Sequence, residues 1–239
     1  MSRFQRKTLF FAFSAYLFLH PIFVLSNVIP FNVETKSLNL QLSAVFNDID
    51  GYGCWCHFGE NWRKGQGQPV DVFDQECANL FKGYQCISMD TETEEGNGFT
   101  CLAYETQYLE PLQISFDTPD EFLINDCESK NIFGNDSALS TCRVRSCIVE
   151  SFFIRNLAIH KFSGEATNDE FLLENGFDYD SQCFVKKIGR QEKACCGNYP
   201  SRFPYQTRGG DFQCCGENLP YNSVLFQCCD DGVPRLSCP

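Results

Sequence analysis

The chain has 239 residues, 43% of them hydrophobic, which suffices to fill the core of one or two domains. Its formal charge of −12 sets it against nucleic acid and anionic membrane surfaces, so neither is an expected partner. Sixteen cysteines, an even count, speak against a reduced cytosolic protein and for disulfides made in an oxidising compartment.

Residues 1–26 read as a secretory signal. Arg3, Arg6 and Lys7 precede the apolar run "TLFFAFSAYLFLHPIFVLS", and Val24 and Ser26 suit cleavage before Asn27. Removal of this segment takes away three positive charges and no acid, so the mature charge moves from −12 to −15. No later run is of spanning length, and the expected product is a secreted, extracellular protein with no transmembrane segment. Leu38, Leu42, Val45, Phe46 and Ile49 then share one helical stripe.

Residues 51–86 read "GYGCWCHFGENWRKGQGQPVDVFDQECANLFKGYQC". A glycine- and cysteine-bearing loop is followed by Val70, Phe73, Cys77, Leu80, Phe81 and Tyr84 at helical spacing. Pro69 suits a first helical turn, and Asp71 and Asp74 suit the positive helix start. "CISMDTETEEGNGFTCLAY" reads as a β-hairpin around an acidic turn, with Cys86 and Cys101 at its base. A loop is expected over 110–137, carrying Cys127 and the sequon at Asn135, a glycosylation site. "LSTCRVRSCIVESFFIRNLAIHKF" is a second long helix, with Cys142 and Cys147 on it and Ile148, Val149, Phe152, Phe153 and Leu157 on its apolar face. Cys183 and the polar stretch 186–193 lead to the tail.

The tail opens with "CCGNYPSRFPY", repeats as "CCGENLPYN" and truncates at "CCDDG". Its doublets are Cys195–Cys196, Cys214–Cys215 and Cys228–Cys229, and Cys238 closes the chain. Adjacent cysteines rarely bond each other, because disulfide geometry wants their α-carbons further apart than one peptide bond allows, so each member is expected to pair elsewhere, stapling one repeat to the next. With few apolar residues to bury, the tail would depend on those staples.

The pieces "YGCWC", Gly59, Gly65, Gly67, Pro69, Val70, Asp71, Asp74, Cys77 and Tyr84 resemble the secreted phospholipase A2 family. The likeness is good over 36–86, loose to about residue 160 and absent from the tail. It implies a mainly α, disulfide-rich fold of phospholipase A2-like helices with a small β-hairpin over 27–187, followed by a cysteine-stapled irregular or β tail at 188–239. The family uses a His to take a proton from water and an Asp to hold calcium, in the motif Cys-x-x-His-Asp-x-Cys-Tyr. Counting forward from Cys77 and back from Tyr84 puts Leu80 at the His and Phe81 at the Asp. Glu76 and Gly83 stand at two further family cysteines, and "ENWRK" is inserted after Gly59. The backbone carbonyls of Trp55, His57 and Gly59 match the family's metal positions, so calcium is either absent or weakly bound.

A hydrocarbon cannot accept a proton, and no catalytic residue is therefore assigned. His57 and His160 read as structural histidines without a carboxylate at motif spacing, and Glu150 is a distant candidate for an orienting acid. The repeated Cys-Cys units resemble galaxin-type repeats of secreted and mineralised matrices. The expected function is non-catalytic: an extracellular binding or matrix component, with matrix or a lipid surface as partner. Two alternatives stand beside it. One is a calcium-dependent phospholipase A2 with a rearranged site, hydrolysing lipid esters to release arachidonate-type fatty acids. The other is a module for lipid or another apolar ligand.

Overall fold

The computed structural model describes residues 48–58, 65–95, 100–103, 114, 116–131, 137–185 and 192–239. The secretory segment, most of the 38–49 stripe, Gly59, the inserted residues, Asn135 and the stretch 186–191 lie outside them. Helices run over Val72–Glu95 (α1), Asp120–Asn131 (α2), Ser137–Phe162 (α3) and Tyr179–Gln182 (α4). Strands run over Lys193–Cys196 (β1), Phe203–Gln206 (β2), Phe212–Cys215 (β3), Leu219–Asn222 (β4), Gln227–Cys228 (β5) and Pro234–Arg235 (β6). No helix among the described residues is long and apolar enough to cross a membrane.

Asp71 starts α1: its carbonyl accepts from Gln75 N at 2.9 Å and its side chain accepts from Asp74 N at 2.9 Å, as an N-cap requires. Pro69 therefore lies ahead of the cap rather than in the first turn. The expected hairpin after Cys86 is not what forms. The helical face of Leu80, Tyr84, Ile87 and Thr91 continues unbroken into the core, so α1 runs on to Glu95. Thr91 Oγ1 donates back to Ile87 O at 2.7 Å and accepts from Cys101 N at 3.3 Å, which satisfies the polar group inside. Cys86 and Cys101 do not share a base but bond to Cys195 and Cys142.

The expected loop over 110–137 also contains structure, because α2 forms within it. Its buried stripe is short, Leu123 and Cys127 one turn apart, and Lys130 pairs with Asp126 on its outer side at 3.1 Å. The longest helix, α3, is apolar on more than one side because α1 and α2 flank it. Contacts of Glu76 with Asn156 and of Tyr84 with Glu150 run α1 antiparallel to α3, and Cys127–Cys147 with Asp120–Arg155 do the same for α2. Gly83 lets α3 pack tightly on α1, since a Cβ there would stand 2.8 Å from Val149 Cγ1. Glu76 thus makes a polar contact with Asn156, and Gly83 makes room for the Val149 side chain.

All sixteen cysteines are paired, in eight disulfides. The tail is three antiparallel hairpins, β1–β2, β3–β4 and β5–β6, one per repeat. The second cysteine of each doublet bonds forward: Cys196 to Cys214, Cys215 to Cys228, and Cys229 to Cys238. Cys196, Cys215 and Cys229 are also the buried apolar side chains of this region, so sulfur serves as its core. The first hairpin is seated on α1. Cys195 bonds Cys86, and Arg202 donates twice to Asp90, at 2.7 and 3.0 Å. Tyr199 Oη donates to the same carboxylate at 2.9 Å.

Candidate functional site

The segment 51–58 is folded by hydrogen bonds rather than by regular structure. Gly53 N donates to Phe171 O at 2.8 Å and Leu173 N to Gly51 O at 2.9 Å, which lays this loop along residues 171–173. Cys54–Cys183 and Cys56–Cys77 fix its two sides. Asp74, fully buried, accepts from the amides of Cys54 (2.9 Å), Trp55 (2.7 Å) and Val70 (2.9 Å). Burial pushes its carboxyl upward, and the three amides offset part of that rise. Gly53 has φ +58°, and a Cβ there would meet the Asp74 carboxyl at 2.5 Å. Only glycine fits. Tyr52 Oη donates to Asp71 and accepts from Asn168 N at 3.0 Å, joining the loop to the helix cap.

Leu80 is 1% exposed, among Phe73, Tyr84 and Phe153 in the core. Phe81 is partly buried at the edge of the core, beside the aromatic side chains of the loop. Its ring stacks on Phe58 with centroids 6.0 Å apart and lies 6.4 Å from the ring of Trp55. Hydrocarbon thus occupies the neighbourhood where a calcium carboxylate is implied. Of the carbonyls implied as ligands, Trp55 O accepts from His57 N at 2.8 Å within its own turn. The His57 side chain is buried edge-on to Tyr179, with centroids 4.9 Å apart. Gly59 lies outside the described residues.

His160 has two carboxylates beside it in the fold: Glu165 Oε2 stands 2.5 Å from Nδ1, and Glu76 Oε1 stands 3.6 Å from Nε2. Glu165 comes from the turn after α3 and Glu76 from α1, so no local spacing announces the group. Glu150 has its Oε1 accepting from Tyr84 Oη at 2.5 Å deep in the core.

Two clefts border α1 where β2 crosses it. One, of about 440 Å³, has Leu80, Val149, Phe152 and Phe203 in its walls and Glu76, Arg155 and Arg202 among its polar groups. The other, of about 740 Å³, has Trp55, Phe81, Met89, Leu102 and Tyr205 in its walls. Lys82 borders both, 5.6 Å from the centre of the Trp55 ring. The sequence gives no sign of the second cleft, because residues from loop, helix and tail meet only in the fold. Comparison of the chain with family models, with curated proteins and with solved structures finds no match.

Proposed function

We propose that this is a secreted protein with a phospholipase A2-like frame that binds rather than hydrolyses, at an extracellular matrix or lipid surface. The observation that carries the reading is Leu80 buried with Phe81 stacked on Phe58, at the two positions that would need a base and a metal carboxylate. Neither hydrocarbon side chain accepts a proton or holds calcium. Eight disulfides suit the secretory route, and the forward-linked hairpins suit a galaxin-like module of the matrix. The test is incubation of the purified protein with mixed phospholipid vesicles, with and without calcium, reading fatty acid release. None is expected.

A second reading keeps hydrolysis, with His160 as base and Glu165 as the acid on its Nδ1. Its other nitrogen faces Glu76, a carboxylate rather than a substrate oxygen, which makes this arrangement the poorer one. His160→Ala, compared with His57→Ala in the vesicle assay, separates the two histidines should activity appear.

A further inference from the structure

We propose that the 740 Å³ cleft between α1, the Trp55 loop and strand β2 binds an anionic single-chain amphiphile, a medium- or long-chain carboxylate, with Lys82 as its head-group partner. The inference rests on the binding reading above and names the ligand class of that site.

Charge is the first argument. The whole chain carries −12, yet the described residues lining this cleft include Lys82 and Lys193 and no Asp or Glu. Neither ammonium has a carboxylate within salt-bridge distance among the described residues: Lys82 lies over the face of Trp55, and Lys193 Nζ donates to Gln85 Oε1 at 3.5 Å. Lys82 is half-buried, and burial draws its ammonium downward from the ordinary lysine value. A partly desolvated cation gains from an anionic partner that arrives with the ligand.

Shape and lining are the second. The volume falls in the range of small-molecule sites, roughly 300–1,000 Å³. Trp55, Phe81, Met89, Leu102 and Tyr205 offer an apolar bed, with Lys82 over the Trp55 ring and Lys193 on β1 beside Gln85. A ligand with one negative end and a hydrocarbon body satisfies both. A carboxylate without a chain would leave the bed uncovered, and a neutral chain would leave Lys82 without an anionic partner. Phe81 supplies part of the bed, where an Asp would have repelled the same head group. The wall made by Pro204, Tyr205 and Gln206 belongs to the tail, so the cleft depends on the seating of the first hairpin on α1, through Cys86–Cys195 and the contacts of Arg202 and Tyr199 with Asp90.

The experiment is calorimetric titration of the full-length protein with dodecanoate, dodecanol, dodecylammonium and acetate. Saturable binding is expected for dodecanoate alone, or at least about tenfold tighter than for dodecanol, equivalent to about 1.4 kcal/mol. Lys82→Met should weaken dodecanoate about tenfold and leave dodecanol unchanged, while Lys130→Met, remote on α2, changes neither. Equal affinity for dodecanoate and dodecanol in the unmutated protein overturns the proposal without recourse to any variant. So does the absence of saturable dodecanoate binding up to millimolar concentration. Vesicle hydrolysis alongside head-selective binding would sink the non-hydrolytic reading while supporting this site; absence of both would sink the site alone.

Discussion

The phenol of Tyr84 on α1 donates a 2.5 Å hydrogen bond to Oε1 of Glu150 on α3, and both side chains are buried. This pair joins the two longest helices at their crossing, beside the close approach of Gly83 to Val149. Tyr84→Phe should cost about 1 kcal/mol of stability in urea denaturation, the usual net worth of one hydrogen bond between buried side chains. Glu150→Gln should cost less, since an amide oxygen still accepts. A Tyr84→Phe protein as stable as the parent would show that the pair contributes nothing.

Five phenols, those of Tyr52, Tyr84, Tyr179, Tyr199 and Tyr205, are pushed upward, in each case chiefly by burial. Their folded state holds the proton more tightly than the unfolded chain does. The resulting stability is complete below the unfolded tyrosine value of about 10 and is lost as pH rises through the folded values. Lys82 and Lys161, drawn downward by burial, act in the opposite sense but are fewer. No free thiol contributes. The urea midpoint should fall above about pH 10, together with the appearance of phenolate absorbance. Phenolate appearing at the ordinary tyrosine value, with no loss of stability, would contradict this.

Asp74 holds three backbone amides of two loops and has no exposure to water. Asp74→Ala strands all three donors, and a loss of at least about 3 kcal/mol is expected from the usual cost of unsatisfied buried groups. Gly53→Ala should be destabilising for the steric reason at the same place, with Cβ driven into the carboxyl. The double variant should lose less than the sum, because removing the carboxyl removes the clash. Additive losses would mean that the two sites act independently.

The long helices were legible because Phe73, Cys77, Leu80 and Tyr84, and Ile148, Val149, Phe152 and Phe153, repeat at helical spacing. The segment after Cys86 misled for a physical reason. Its Thr and Gly residues favour strand and turn, but Ile87 and Thr91 continue the buried face, and tertiary packing overrode local preference. Helix α2 was missed because only Leu123 and Cys127 mark its buried side. The repeats of the tail were visible in the cysteine doublets, whereas the partner of Cys86, 109 residues away, was not. The same limit hid Glu150 from Tyr84 and Lys193 from Lys82: groups that meet only through the fold leave no spacing to read.

Calcium should bind no more tightly than the millimolar range found for extracellular sites with few carboxylates. Phe81 packed among Phe58 and Trp55 is the motive for this expectation. Calorimetry with calcium chloride reads it directly, and a micromolar site would overturn it. Asp71 and Asp74 would not explain such a site readily, since Tyr52 and the loop amides already use their oxygens.

Fatty acid release from mixed phospholipid vesicles, measured with calcium and again with chelator, tests the central claim most directly. The unmutated protein should release none, because a general base typically supplies a hundred- to ten-thousand-fold and an oxyanion donor roughly 3–4 kcal/mol, and Leu80 and Phe81 supply neither. Leu80→His with Phe81→Asp should give at most trace release, since the restored groups lack a supporting shell within about half an ångström. Calcium-dependent release by the unmutated protein, abolished by chelator, would contradict the account.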